Sequence, residues 1–251
     1  TFREYLRNKV FVTGKQSIFY LDTYGYIAIA SFLICTVSGI LLAIPYDVAN
    51  PYDSIAKILM TNPAGVFYRN IHYWSAQLFL IFTILHTYDH FKRATEKRVK
   101  KGVWFRLTVS LLVTFLVMLS GFILKGDLEA QQAKRILEAL FNEIPLIGSN
   151  LTYSLLGPEN DYEILYVHHI ATATIFLAII IIEHARTIWT KGKTFLVTTL
   201  FTLILSYLFT PALHDNLNPL IKGPWYFLGL QEILHWISQP AFSILLVIGV
   251  L

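Results

Sequence analysis

Five apolar runs punctuate the chain, at about 25–45, 70–91, 103–124, 164–189 and 194–213. Each is close to the roughly 20 residues that a helix needs to cross a bilayer. A sixth run, PAFSILLVIGVL from Pro240 to Leu251, stops in mid-pattern and predicts a helix continued by this chain or by a partner subunit. Before the first run, Phe2, Tyr5, Leu6 and Val10 fall at helical spacing among Arg3, Arg7 and Lys9, the pattern of an amphipathic helix lying in the interface. The longest connection, 125–163, repeats that pattern. Ala133, Ile136, Leu137, Leu140, Phe141 and Ile144 line one face, with Asp127 placed as N-cap. SGILL at 38–42 is echoed by SGFIL at 120–124, so the first and third runs look alike in role.

The expectation is an all-α integral membrane protein with an interfacial segment over 1–24. A four-helix transmembrane bundle covers 25–190. The remainder, 191–251, supplies a further transmembrane helix, a loop and the start of another helix.

Composition strengthens this picture. The 251 residues are 55% hydrophobic and only 14% charged, against about a quarter charged in soluble domains. The net charge of +4 is unevenly placed: six basic residues crowd 92–101, and more lie in the N-terminal segment and at 186–193. The 46–68 and 143–163 connections are poor in Lys and Arg. That alternation follows the positive-inside rule and puts the N-terminus on the cytoplasmic side of the cell membrane. It also accounts for the basic cluster, so no nucleic-acid partner is expected. Cys35, the single cysteine, excludes an internal disulfide. The polar, basic opening segment predicts no secretory leader.

Polar residues inside the apolar runs carry the chemistry. His72 and His86 are 14 residues apart on the second run, and His169 and His184 are 15 apart on the fourth. At about 100° per residue, these intervals return to within roughly 40° and 60° of the starting direction. Each pair therefore occupies one helix face, its members about 21–22 Å apart. Two such helices offer two facing imidazole couples at two depths, and each couple suits a six-coordinate haem iron. His72 should face His169 near the outer surface, and His86 should face His184 near the cytoplasmic one. His168 and His90 are rivals. His168 lengthens its pair to 16 and fits less well, whereas His90 falls on the same face as His72, so geometry leaves it open. Matched axial separations favour His86. Gly25 and Gly39, again 14 apart, would let a macrocycle approach the first helix. Arg69 and Lys92 or Arg93 are placed to pair with propionates.

With these residues in view, the sequence resembles the cytochrome b family of quinol–cytochrome c oxidoreductases, as a divergent bacterial-type member. RNIH at 69–72, the 14 and 15 spacings, Gly25 with Gly39, GFIL at Gly121, IPLIG at 144–148 and KGPWYFLGLQEILHW at 222–236 carry the resemblance. It implies two non-covalent b haems linking quinone-reactive sites across the membrane, with the last segment forming part of a quinone site. The family's Pro-Glu-Trp-Tyr falls on Gly223, Pro224, Trp225 and Tyr226, so its acidic residue is missing. Its Pro-Trp-Gly is replaced by KGD at 125–127, and the first glycine of its third-helix pair falls on Leu107. The attachment position for a covalent haem c in the photosynthetic branch falls on Thr23, so that haem is not expected.

Two functions follow. In the first, the chain oxidises quinol beside Trp225 and Tyr226, with Glu232 or His235 taking protons, and hands electrons to a Rieske-type iron–sulfur protein or a cytochrome c. In the second, the same haems form a non-bifurcating anchor between a peripheral redox enzyme and the quinone pool. A proton-relay transporter using these histidines and Glu183 would leave the paired spacings as coincidence.

Overall fold

The computed structural model describes residues 18–97, 99–159, 161–184, 189–214 and 221–237, and the side chains of 18–22, 96 and 235 fall outside that description. The expected N-terminal amphipathic helix and the run from Pro240 to Leu251 also lie outside the described residues. Among the described residues the fold is helical throughout. We number the helices α1 (Ile18–Ala43), α2 (Pro51–Thr61), α3 (Pro63–Lys92), α4 (Lys101–Ile123) and α5 (Leu128–Asn142). They continue as α6 (Gly148–Leu156), α7 (Glu163–His184), α8 (Gly192–Leu208) and α9 (Leu228–Trp236).

Thr23–Ala43, α4 and α7 are long and apolar enough to cross a membrane, and α8 is a shorter apolar helix. Although α3 has 30 residues, Arg69, Asn70, His72, Gln77, His86, Asp89 and His90 dilute its apolar character. It begins seven residues earlier than its apolar run, because Asn62 accepts a hydrogen bond from the Gly65 N–H and Pro63 opens the first turn. The sequence reading did not anticipate α2. Pro51 at its N-terminus starts it, and a stripe through Ile55 and Ile58 seats it on α3.

The bundle is built from two pairs. α1 packs along α3, and α4 packs along α7. α8 leans on both α1 and α3. Direct backbone approach between α3 and α7 is sparse, so the two histidine-bearing helices face each other across a gap. Ala28, Phe32, Phe79 and Leu177 fill that gap midway, with the Phe32 and Phe79 ring centroids 5.3 Å apart.

The surface helix α5 forms as expected: Asp127 Oδ1 accepts the Ala130 N–H at 3.0 Å, and Ala130, Ala133, Leu137 and Leu140 are buried. Asp127 does more than cap. Its side chain is fully buried, and Oδ2 takes Lys125 Nζ at 2.7 Å and the His214 N–H at 3.1 Å. The KGD segment thus ties the end of α4, the start of α5 and the chain after α8 into one knot. Glu129 completes it, reaching Lys125 Nζ at 3.2 Å and His214 Nε2 at 3.6 Å.

Candidate functional site

The four histidines come together as two couples. His72 and His169 have ring centroids 6.1 Å apart with planes at 78°; His86 and His184 also stand 6.1 Å apart, at 74°. Neither couple is in ring-to-ring contact of the tight kind that His86 makes with His90, whose centroids are 4.4 Å apart.

The unequal spacings of 14 and 15 are reconciled by the backbone. Residues His168–Thr172 form a π-type turn inside α7. Such a turn inserts one residue into the helical phase, so fifteen residues on α7 do the angular work of fourteen on α3. Thr174 Oγ1 donates to the His169 carbonyl across this turn, giving the displaced acceptor a partner. The two rival histidines make other contacts. His168 points away, its Nε2 donating to the Ser154 carbonyl at 2.8 Å. His90 is likewise engaged elsewhere, with Nδ1 3.1 Å from Thr95 Oγ1, and it is His86 that faces His184.

Glycine lies behind three of the four rings. A Cβ at Gly39 would come 2.8 Å from His72 Cε1, one at Gly121 2.8 Å from His169 Cε1, and one at Gly25 3.1 Å from His86 Cε1. Gly25 and Gly39 therefore act by letting the imidazoles sink against α1. Gly121 does the same on α4, a role not assigned to it from sequence. Fourteen residues before it stands Leu107, and among the described glycines none lies against His184.

Behind His72, Nδ1 meets the Cys35 carbonyl at 2.9 Å, with Cys35 Sγ at 3.5 Å. Behind His169, Nδ1 meets Ser120 Oγ at 3.0 Å and the Val117 carbonyl at 3.2 Å. With Nδ1 donating backwards, Nε2 is left as the acceptor facing the partner ring, the tautomer a metal ligand requires. Behind His86 the buried Nδ1 has no partner among the described residues.

These observations fit haem. An imidazole nitrogen binds a first-row metal at about 2.0–2.1 Å, and its ring centre lies about 1.1 Å further back, so two imidazoles on one iron place their centroids about 6.3 Å apart. Both couples stand at 6.1 Å. The gap between α3 and α7 and the glycine-backed rings meet the remaining demand, room for a flat macrocycle. Among the described residues no group of three or more metal-donor side chains forms, so paired imidazoles are the donor set to test.

A family profile described as Cytochrome b/b6/petB matches residues 9–192. The chain belongs to the cytochrome b family. It is similar to the cytochrome bc1 complex cytochrome b subunit of Corynebacterium efficiens, with 22% identity over 210 residues that make up 74% of this chain and 38% of that protein. It is also similar to cytochrome b6 of Synechococcus elongatus, 28% identical over 152 residues, which are 60% of this chain and 70% of that one. A chain of a hyperthermophilic respiratory Complex III shares the fold, with a TM-score of 0.69 over 97% of this chain and 76% of that chain at 18% identity. The chain spans about two fifths of the length of the corynebacterial subunits it matches. Membership in the cytochrome b family implies haem b.

Other predicted site residues occupy distinct places. Arg69, buried one turn before His72, donates from Nη1 to the Pro211 carbonyl at 2.8 Å. Arg93 pairs with Asp89 at 3.1 Å near the opposite end of α3. Trp225 and Tyr226 reach two different spans: the Trp225 indole donates to Gln77 Oε1 on α3 at 2.8 Å, and the Tyr226 hydroxyl donates to the Met118 carbonyl on α4 at 2.9 Å. The GPWY segment therefore wedges between α3 and α4, one residue along from the Val117 carbonyl behind His169. Burial, reinforced by Tyr73, pushes the Tyr226 phenol well above its ordinary range and keeps it a donor. Glu232 is exposed on α9, and the His235 side chain lies outside the described residues.

Proposed function

We propose that this chain is the di-haem, quinol-oxidising cytochrome b subunit of a bc-type membrane oxidoreductase. One observation carries it: two imidazole couples with equal 6.1 Å centroid separations at two depths of one bundle. His72 and His169 would hold an outer haem b, and His86 and His184 an inner one. When bound, each haem supplies a one-electron carrier. The protein's work is to position them: Cys35, Ser120 and Val117 fix the outer imidazoles, Gly25, Gly39 and Gly121 seat the rings, and Phe32 and Phe79 keep the layer between them dry. Arg69, about one turn above His72, and Arg93, beyond His86, stand at the ends where propionates would emerge.

Quinol binds beside the GPWY wedge, where Trp225 and Tyr226 form its wall, and proton release there goes to Glu232 or His235. The N-terminus and the 92–101 loop face the cytoplasm. The redox partners are a Rieske-type iron–sulfur protein or a cytochrome c, together with a further membrane subunit. Purified complex should contain two b haems per chain in the dithionite-reduced spectrum, and a single haem would end this reading.

A second reading, the non-bifurcating anchor for a peripheral oxidoreductase, is favoured by the knot of Lys125, Asp127, Glu129 and His214, a charged surface where the family's Pro-Trp-Gly would stand. The subunits that copurify decide: a Rieske-type protein supports bifurcation, and a catalytic peripheral enzyme in its place supports the anchor.

A further inference from the structure

Gln77 is an intramembrane amide that the haem assignment leaves unexplained. It lies on α3 five residues past His72, about 7.5 Å deeper along the axis. Its oxygen accepts the Trp225 indole N–H at 2.8 Å. An indole nitrogen can only donate, so chemistry fixes the amide: Oε1 faces Trp225 and the NH₂ faces away. Among the described residues no acceptor takes that NH₂. At bilayer depth there is little water to replace a missing acceptor, so an amide donor held in this way calls for a partner.

The surroundings indicate what the partner is. Tyr73 stands one turn before Gln77 on the same face of α3, and it and Trp225 are 38% and 51% exposed. Tyr226, next to Trp225, stands edge-on to it with ring centroids 5.5 Å apart. Two aromatic faces and one directed N–H donor make a site for a flat, apolar ring carrying an acceptor oxygen. We propose that Gln77 is a quinone-binding residue whose NH₂ donates to a ring oxygen of quinone or quinol held between Tyr73 and Trp225. This rests on the quinol-oxidation reading above and names a contact in that site. A carboxamide orients a quinol without accepting its proton, so Gln77 acts on binding, and the pH profile of turnover belongs to other groups.

The test uses the intact complex in lipid nanodiscs, with duroquinol and menadiol as separate substrates and duroquinone and menadione as ligands for equilibrium binding. Gln77→Met keeps the length and volume of the side chain. It should raise KM and the quinone Kd about tenfold, the scale of one lost hydrogen bond. It should leave kcat within about twofold, the pH profile unmoved and both haem bands intact. Gln77→Glu, which turns an acceptor toward the quinone oxygen, should weaken binding further. If Gln77 merely holds Trp225 in place, Gln77→Met will add nothing in a Trp225→Phe background, and that result overturns the proposal, as does an unchanged Kd. If Gln77→Met assembles without both haems, the same measurements on Gln77→Leu decide. Failure of the wild-type complex to reduce its haems with either quinol rejects the quinol-oxidation reading itself, a different result from normal reduction with an insensitive Gln77.

Discussion

The couples His72–His169 and His86–His184 have the same separation but different backing. Both imidazoles of the first are held from behind, His72 by the Cys35 carbonyl and His169 by Ser120 and Val117, and each rests on a glycine. In the second, among the described residues, His86 has a buried Nδ1 without a partner, no glycine lies behind His184, and His90 crowds His86 edge-on. The first couple is also braced from outside by the Asp127 knot and the GPWY wedge. Beside the second stand Arg93–Asp89 at 3.1 Å and Arg106–Glu183 at 2.8 Å, the latter with both side chains about half exposed, where such pairs contribute little. A bis-imidazole site is thus more than two ligands at the right distance. The hydrogen bonds behind each ring set its orientation and electron density, and here they differ between the two levels.

Ligand removal gives the largest contrast. His86→Ala should abolish the second haem while sparing the first, and His90→Ala should leave two b haems per chain. The reduced-haem spectrum reads both, and a haem lost with His90 in place of His86 would reassign the ligand. Next comes Asp127→Ala, which leaves Lys125 paired with Glu129 but strips the acceptor from the Ala130 and His214 N–H groups. Losing that cap and the second hydrogen bond costs about 1–3 kcal/mol, so thermal release of haem should begin at the first couple, as seen in a spectroscopically resolved melt.

The glycines offer a graded comparison. Gly39→Ala and Gly121→Ala put a Cβ at 2.8 Å and should displace or lose the first haem. Gly25→Ala, at 3.1 Å, should retain the second with a shifted spectrum. Equal tolerance at all three positions would mean that the rings are not pressed against the helices as described. The smallest effect is electronic. Ser120→Ala removes one acceptor behind His169, makes that imidazole less electron-rich, and should raise the first haem's potential by up to about 40 mV, from about 1 kcal/mol per hydrogen bond. Potentiometric titration should find the second haem unmoved.

Much of this was legible along the chain. The histidine intervals, the glycine pair on α1 and the Asp127 cap are local or periodic features, and these survive translation into three dimensions almost unaltered. Other features depend on choices the intervals do not record. A spacing of 15 reads only as a poorer angular match until the backbone inserts a π-type turn at His168–Thr172. Arg69 was expected to serve propionates from its place before His72. Its partner in the fold is the carbonyl of Pro211, 142 residues away, a contact set by how α8 leans on α3. Gln77 falls on no interval or motif read from the sequence, and only the return of the GPWY segment gives it a partner. Gly121 could have been found from sequence by asking which glycine on α4 stands opposite His169, as Gly39 stands opposite His72.

The filling between the two couples has its own consequence. Ala28, Phe32, Phe79 and Leu177 make a layer with no titratable group. Ser75 and Thr114 turn their hydroxyls into their own helices, Ser75 donating to the Ile71 carbonyl at 2.6 Å and Thr114 to the Ser110 carbonyl at 2.8 Å. Among the described residues of this layer a proton finds no relay. In the proposed di-haem chain, an electron passing from one couple to the other would travel without a compensating ion, and the transfer would be electrogenic. Each full crossing would work against the membrane voltage at about 2.3 kcal/mol per 100 mV. In that sense the phenylalanine pair is the dielectric of a capacitor whose plates are the two histidine couples.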